Sequence, residues 1–435
     1  MKQRLLFLLI LSAFLGTGAA RAQLVSGRLV TSFATFERYD TVAASRTYLR
    51  AFQTVQLSVA QGDFSLNTYL QGAVNGTSEF GDQGRVRFSN LYVRWANIAK
   101  VAEVSLGRQA IFAGAGNGPI DGVSARGRFL NEKLTVVGYG GSTVNRDYTG
   151  IRSNWHDNLF YGGQVIVAPV PGGRIGASYM NRSEEADPYW TLRARDASFV
   201  PVAYYIASAP LSEQIGSADA SYEQPERFSV YGRYDYDFNF RQTSRGQGMV
   251  RVNVTPALAL TGDVIYRQPR ISYNSIFSAF TSNATTEIEG GIEYGFTPDL
   301  RAFGKFGSVS YTDDNSARWT AGLSTGYGSV SYSGSNGYAG ELTSLSVQGA
   351  YPLLDRMVVP TLGISYASYK LSTDAPKDNA FALLAGATVR PTRHFTFDIQ
   401  GQWMKNSVYD RDMRLQLKLM YWFAERLSIF SEEVK

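Results

Sequence analysis

The 435-residue chain has no cysteine. That excludes disulfide staples, thiolate metal sites and lipid attachment through a cysteine. Histidine is nearly absent too, with only His156 and His394. A three-histidine metal site is therefore impossible, and no carboxylate set has metal-ligand spacing. No cofactor is expected. Charge is low at 18% of residues. Beyond the first twenty-odd residues there is no apolar run of the roughly 18 residues that a membrane-spanning helix needs. What the chain does have is glycine (43) and tyrosine (27).

The first residues, MKQRLLFLLILSAFLGTGAARAQ, carry Lys2 and Arg4, then an apolar core over Leu5–Leu15. Ala20-Arg21-Ala22 fits the small-x-small pattern of a signal-peptidase site. Residues 1–22 read as a cleaved secretory signal, with Gln23 as the mature start. Cleavage removes Lys2, Arg4 and Arg21 and lowers the formal charge from +5 to about +2. Nucleic acid is not implied as a partner. A long exported chain without disulfides must hold itself together through a large closed sheet or several domains.

Alternation decides between these. In Phe64–Val74, FSLNTYLQGAV, one face carries Phe64, Leu66, Leu70 and Val74, and the other Ser65, Asn67, Tyr69 and Gln71. Successive strand side chains point to opposite faces, so this is a strand with one apolar face. The pattern recurs: Ile288, Ile292 and Tyr294 oppose Glu287, Glu289 and Glu293, and Leu415, Leu417 and Leu419 oppose Arg414, Gln416 and Lys418. A helical period would scatter those charges onto the apolar side.

Tight connections, such as VPGG (170–173), TPDL (297–300) and RPTR (390–393), broadly alternate with longer polar ones near 76–84, 109–121, 145–157, 183–214, 269–283 and 372–379. That asymmetry belongs to outer-membrane barrels, and closure satisfies every backbone amide inside hydrocarbon. Aromatics near strand ends, including Tyr92, Trp95, Tyr266, Phe296, Tyr421 and Phe423, suit an interfacial girdle. The predicted fold is an all-β, antiparallel up-and-down transmembrane barrel over 23–423, with an even count of about 20 strands, range 18–22. Residues 183–214 hide either a strand pair or an infolded loop, and 312–340 either a hairpin or a plug. Residues 424–435 are a periplasmic tail or an extra terminal strand.

The run MRLQLKLMYWF (413–423), with alternate hydrophobics ending in Tyr421-x-Phe423, resembles the targeting strand of bacterial outer-membrane porin-like barrels. LGRQ (106–109) followed by Asp121-Gly122 is similar to a hairpin in alginate-export-like porins. The resemblance implies insertion by the barrel-assembly machinery, contact with outer-membrane lipid, and passive passage of small hydrophilic solutes. It does not carry alginate over as a substrate, and it leaves the oligomeric state open.

If the apolar faces meet lipid, the polar faces line a lumen. They carry Arg50, Arg94, Arg126, Arg128, Arg251, Arg267, Arg301, Lys305, Arg414 and Lys418 against Glu103, Asp263, Glu287, Glu289, Glu293 and Asp398. Such charges serve either as a selectivity wall in a wet pore or as cross-lumen braces; a barrel of this size favours the wet pore. The excess of bases gives a mild anion preference. No catalytic residue is assigned. His156-Asp157 in the loop NRDYTGIRSNWHD (145–157) offers a rim hydrolase as the alternative, and a structural or adhesive barrel without conduction is another. The glycine-dense LGRQAIFAGAGNGPIDG (106–122) lacks both the helix N-terminus and the lysine of a phosphate site. It reads as a flexible rim loop with Arg108 and Asp121 facing each other across its base.

Overall fold

The computed structural model describes residues 23–427 apart from 41–44, 77–83, 146, 149, 153, 186–188, 195–200, 207–210, 270–282, 313, 338–339 and 373. The expected signal segment 1–22 and residues 428–435 lie outside the described residues. The first strands are β1 (Gln23–Asp40), β2 (Ser45–Gln61), β3 (Phe64–Asn75), β4 (Arg85–Ile98), β5 (Ala102–Ala113), β6 (Gly116–Phe129), β7 (Leu134–Thr143), β8 (Leu159–Val167) and β9 (Gly173–Glu184). Next come β10 (Tyr189–Ala194), β11 (Pro201–Ile206), β12 (Leu211–Gln224), β13 (Phe228–Asp237), β14 (Gln242–Asn253), β15 (Leu258–Arg267), β16 (Thr285–Thr297) and β17 (Leu300–Tyr311). The rest are β18 (Asp314–Thr325), β19 (Gly328–Gly337), β20 (Gly340–Ala350), β21 (Val358–Lys370), β22 (Asp378–Val389), β23 (Phe395–Lys405) and β24 (Tyr409–Leu427).

Each wall strand pairs antiparallel with its sequence neighbour, β9 pairs directly with β12, and β24 pairs with β1. The result is a closed barrel of 22 strands, within the expected range. Closure runs from Gln23↔Leu427 to Asp40↔Tyr409. The strand that pairs with β1 thus continues past Phe423 to Leu427. β10 and β11 pair only with each other and stand off the wall. The 183–214 stretch therefore contains a strand pair, whereas 312–340 supplies the wall strands β18 and β19.

Both chain ends of the wall lie at the end with tight connections, such as 62–63, 225–227, 298–299 and 326–327. The long connections 144–158, 185–210 and 268–284 lie at the other end. The apolar row is the outward one. Val250, Leu260, Ile288, Ile292, Leu415 and Leu417 are all exposed, as a lipid-facing row is when the surrounding solvent is a bilayer.

Apart from local register shifts, as at Tyr69/Leu70 and Asp235/Tyr236, the wall departs from regular pairing within the glycine-dense segment. There is no flexible loop between Arg108 and Gly122. β5 and β6 continue to Ala113 and Gly116 around a two-residue turn, pairing from Ala102↔Gly127 to Ala113↔Gly116. β4 follows β5 only as far as Leu91↔Arg108, and β7 follows β6 only as far as Ile120↔Thr143. Beyond those points the hairpin leaves the wall. The departure requires Gly107, whose φ is +126° and where a Cβ would lie 2.4 Å from the Leu91 carbonyl oxygen.

The tip reaches far. Ala115 N–H donates to Ser178 Oγ on β9 (2.8 Å), and Arg233 on β13 donates to the Gly114 carbonyl (3.4 Å). The wall residues that the tip meets, Gln164 and Ser178, alternate with the exposed Val165 and Tyr179 of the outward row, so the hairpin lies inside the barrel. Ser178, Gln164 and Arg233 sit near the middle of β9, β8 and β13, so the tip rests at mid-height. Replacing Gly107 with alanine should cost about 1–3 kcal/mol through backbone strain alone. The check is the urea midpoint of the purified barrel in detergent; an unchanged midpoint would show that β5 does not bend there.

Candidate functional site

The concave face follows from this hairpin. From its wall-facing row, Ile111, Ala113 and Ile120 pack on side chains from β7, β8, β9 and β12. Ile111, Ala113 and Ile120 form one buried cluster with Val137, Tyr139, Phe160, Met180 and Ile215. Tyr139 and Phe160 meet edge to face at 5.2 Å between ring centroids. Gly116 lets the hairpin sit down on Tyr139, since a Cβ there would lie 2.0 Å from the phenol oxygen. The wall residues in this contact belong to the row opposite the exposed apolar one. The register carries that row around the barrel.

The pairing register puts fifteen charged residues on the face opposite the exposed apolar row: Arg50, Arg94, Arg126, Arg128, Arg251, Asp263, Arg267, Glu287, Glu289, Glu293, Arg301, Lys305, Asp398, Arg414 and Lys418. Each alternates with outward apolar neighbours, and the pairing register keeps the rows aligned, as in Arg94↔Ser105, Glu103↔Arg126, Asp263↔Glu289 and Asp398↔Lys418. Several are drawn into clusters. Arg251 donates to Glu293 at 2.9 Å, with Arg301 3.9 Å from the same carboxylate. Glu289 receives Lys305 (3.3 Å) and Arg318 (3.1 Å), and Arg318 also reaches Glu287 (3.0 Å). Glu103 lies between Arg94 and Arg126. Arg414 pairs with Asp412, and Asp398 accepts from the Thr388 hydroxyl (2.6 Å).

Sequence reasoning missed Arg318, Asp412 and three pairs beneath the hairpin: Arg174–Asp219, Arg182–Glu213 and Arg233–Asp235. Arg318 lay in the ambiguous 312–340 stretch. The β9 and β12 pairs flanked the loop at 183–214, whose strand boundaries blurred their alternation.

A different row of the inner wall carries almost no charge. On β19, Ser329, Ser331, Ser333 and Ser335 share the inner face, opposite Ser344 and Ser346 of β20. Ser333 and Ser344 are bonded hydroxyl to hydroxyl at 2.8 Å.

Arg108 and Asp121 sit within the hairpin, on the face shared with Leu106 and Val123, rather than at the rim. They are Cα partners and 7% and 9% exposed as side chains. Arg108 Nε and Nη2 donate to the two Asp121 oxygens at 2.7 and 2.6 Å. The remaining donors reach the carbonyls of Phe88 (3.2 Å), Tyr148 (2.9 Å) and Gly150 (2.6 Å). The segment after β7 thus covers the place that the hairpin vacated beside β4, where Phe88 N–H donates to the Tyr148 carbonyl (3.0 Å). Arg152 ties that segment to Glu184 (2.8 Å), and Ser183 donates to the Asp157 carbonyl (3.2 Å).

His156 lies exposed in a short turn (Trp155–Asp157), its ring 3.7 Å from that of Trp155. Among the described residues no carboxylate or hydroxyl is hydrogen-bonded to its ring. His394 follows a tight turn, its Nδ1 2.9 Å from the Trp422 carbonyl. Among the described residues no cluster of acids and histidines has the form of a metal site.

A charged inner face, an apolar outer face and full closure define the architecture. This is a closed antiparallel β-barrel of 22 strands. No protein-family model and no curated relative matches the sequence. Solved structures that resemble it include the P pilus usher (PapC) translocation pore, at 9% identity and TM-score 0.47, covering 92% of this chain and 99% of that one. Others are Pseudomonas aeruginosa OccK2 (OpdF) in complex with glucuronate, at 10% identity and TM-score 0.37, covering 92% and 98%, and a BenF-like porin from Pseudomonas fluorescens Pf-5, at 8% and 0.38, covering 92% and 99%.

Removing either partner of Arg108–Asp121 leaves a buried charge uncompensated, so Asp121→Ala and Arg108→Ala should each cost about 3–5 kcal/mol. The double variant should cost no more than the worse single. Urea titration of the four proteins checks this, and additive losses would show that the two side chains do not act together.

Proposed function

We propose that the protein is an outer-membrane channel through which small hydrophilic solutes diffuse passively. The observation that carries the reading is a ring of both-sign charge on the concave face of a 22-stranded barrel. Twenty-two strands about 4.8 Å apart and tilted by about 40° give a round cross-section roughly 44 Å wide between backbones. A two-stranded finger about 10 Å thick occupies only part of that opening. Charge of this kind is inexpensive when wetted and costly when dry, which favours a water-filled passage over a packed interior.

In this reading the inner-face residues named above set selectivity. Solutes filter by size past the hairpin and by charge along the walls. Bases outnumber acids, which supports a mild anion preference. The signal at 1–22 directs export, and the closing strand, with its Tyr421-x-Phe423 ending, is the element that the barrel-assembly machinery would engage. No residue performs covalent chemistry, and no cofactor takes part.

The purified protein in planar bilayers should give stepwise conductance. Replacing Glu287, Glu289 and Glu293 with glutamine removes three negative charges, so the reversal potential in a salt gradient should move toward that of the anion. Folded protein that stays silent would favour a structural barrel. A conducting variant with unchanged selectivity would place those carboxylates off the path.

A further inference from the structure

We propose that Phe112, on the inward hairpin, selects solutes that carry a flat apolar side along with their polar groups. The proposal rests on the channel reading and assigns its narrowing to one side chain. Alternation along β5 sets the geometry. Ile111 and Ala113 turn onto the wall and are buried, so Phe112 between them turns the other way. It is 75% exposed. In the barrel wall that direction points to lipid, but here the strand has swung inside.

The same face points toward the open bore at mid-height, where the tip contacts Ser178 and Arg233. The cross-strand partner of Phe112 is Asn117, and its neighbours on that face, Ala110 and Pro119, are uncharged. A bare aromatic ring therefore stands at mid-height in a passage lined mainly by charged and polar side chains. Exposed to water it is unfavourable, and a solute surface that covers it is held in preference to one that cannot. Inside the barrel the ring meets whatever passes through the bore. What reaches it must be small, soluble overall, and apolar on one side.

The hairpin is pinned and not free to swing: Ile120 and Phe160 are completely buried at its contact, and Arg108–Asp121 fixes its root. The ring is accordingly a fixed contact point, distinct from a gate.

The test measures swelling of proteoliposomes in L-phenylalanine and in L-glutamine, two zwitterions of similar size that differ in one apolar ring. It uses the full-length wild type, Phe112→Ala and Phe112→Trp, each confirmed as folded by circular dichroism. Phe112→Ala should lower the phenylalanine-to-glutamine rate ratio by roughly two- to tenfold, the range that aromatic contacts of this kind produce. Phe112→Trp should keep the wild-type ratio. If the ratio is unchanged in Phe112→Ala, or rises because the bore merely widens, the proposal is overturned while the channel stands. If folded wild type admits neither solute, the channel reading falls and takes this proposal with it.

Discussion

The requirement that every backbone amide within the membrane find a partner governs this structure. Closure of β1 on β24 meets it for the barrel as a whole. The hairpin β5–β6 breaks it locally, because a strand pair that leaves the wall strands the edge of β4, whereas β7 ends at Thr143 still paired with Ile120. The chain answers there: Tyr148 supplies its carbonyl to Phe88 N–H at 3.0 Å. An exposed sheet edge inside hydrocarbon would cost several kcal/mol per unpaired group. The segment between β7 and β8 is therefore part of the wall in energetic terms, although it is a connection in sequence.

The same constraint explains a buried ion pair where lipid-facing side chains are otherwise apolar. Arg108 and Asp121 occupy outward positions of the hairpin, and where the hairpin turns in, those positions come to face backbone. Four charge-assisted or carbonyl bonds of 2.9 Å or shorter gather on the one guanidinium. A methionine or leucine of similar length would fill the volume but leave the carbonyls of Tyr148 and Gly150 without that donor. The polar pair is thus matched to a backbone surface, and its geometry fixes where the hairpin departs.

Most of the wall was legible in the sequence because alternation is a property of each strand alone. Glu287, Glu289 and Glu293 announce their shared face without knowledge of any neighbour, and so do Leu415, Leu417 and Leu419. The hairpin was not legible in the same way. Leu106, Ala110 and Phe112 continue the alternation of a strand, but Gly114, Gly116 and Gly118 look like a flexible loop. Those glycines instead allow close approach, as Gly116 does against Tyr139. Such contacts are made with residues far along the chain and leave no local pattern. The ion pairs beneath the hairpin were hidden for a related reason: β9 and β12 are neighbours in space only because β10 and β11 stand off the wall between them.

Turning a wall hairpin inward also exchanges the roles of its two faces. The row that would have lined the lumen becomes core, which is why Ile111 and Ile120 are apolar where other strands carry arginine or glutamate. The row that would have met lipid becomes the inner lining, which is why an apolar Phe112 appears inside a polar bore. Binary patterning alone cannot distinguish these assignments, since both keep period two. The distinguishing signal is the pair of charges at the root: Arg108 and Asp121 stand in the lipid row of an otherwise apolar alternation, and a fully desolvated pair is tolerable there only if the strand no longer faces lipid. Charge in the wrong row marks the point where a strand leaves the wall.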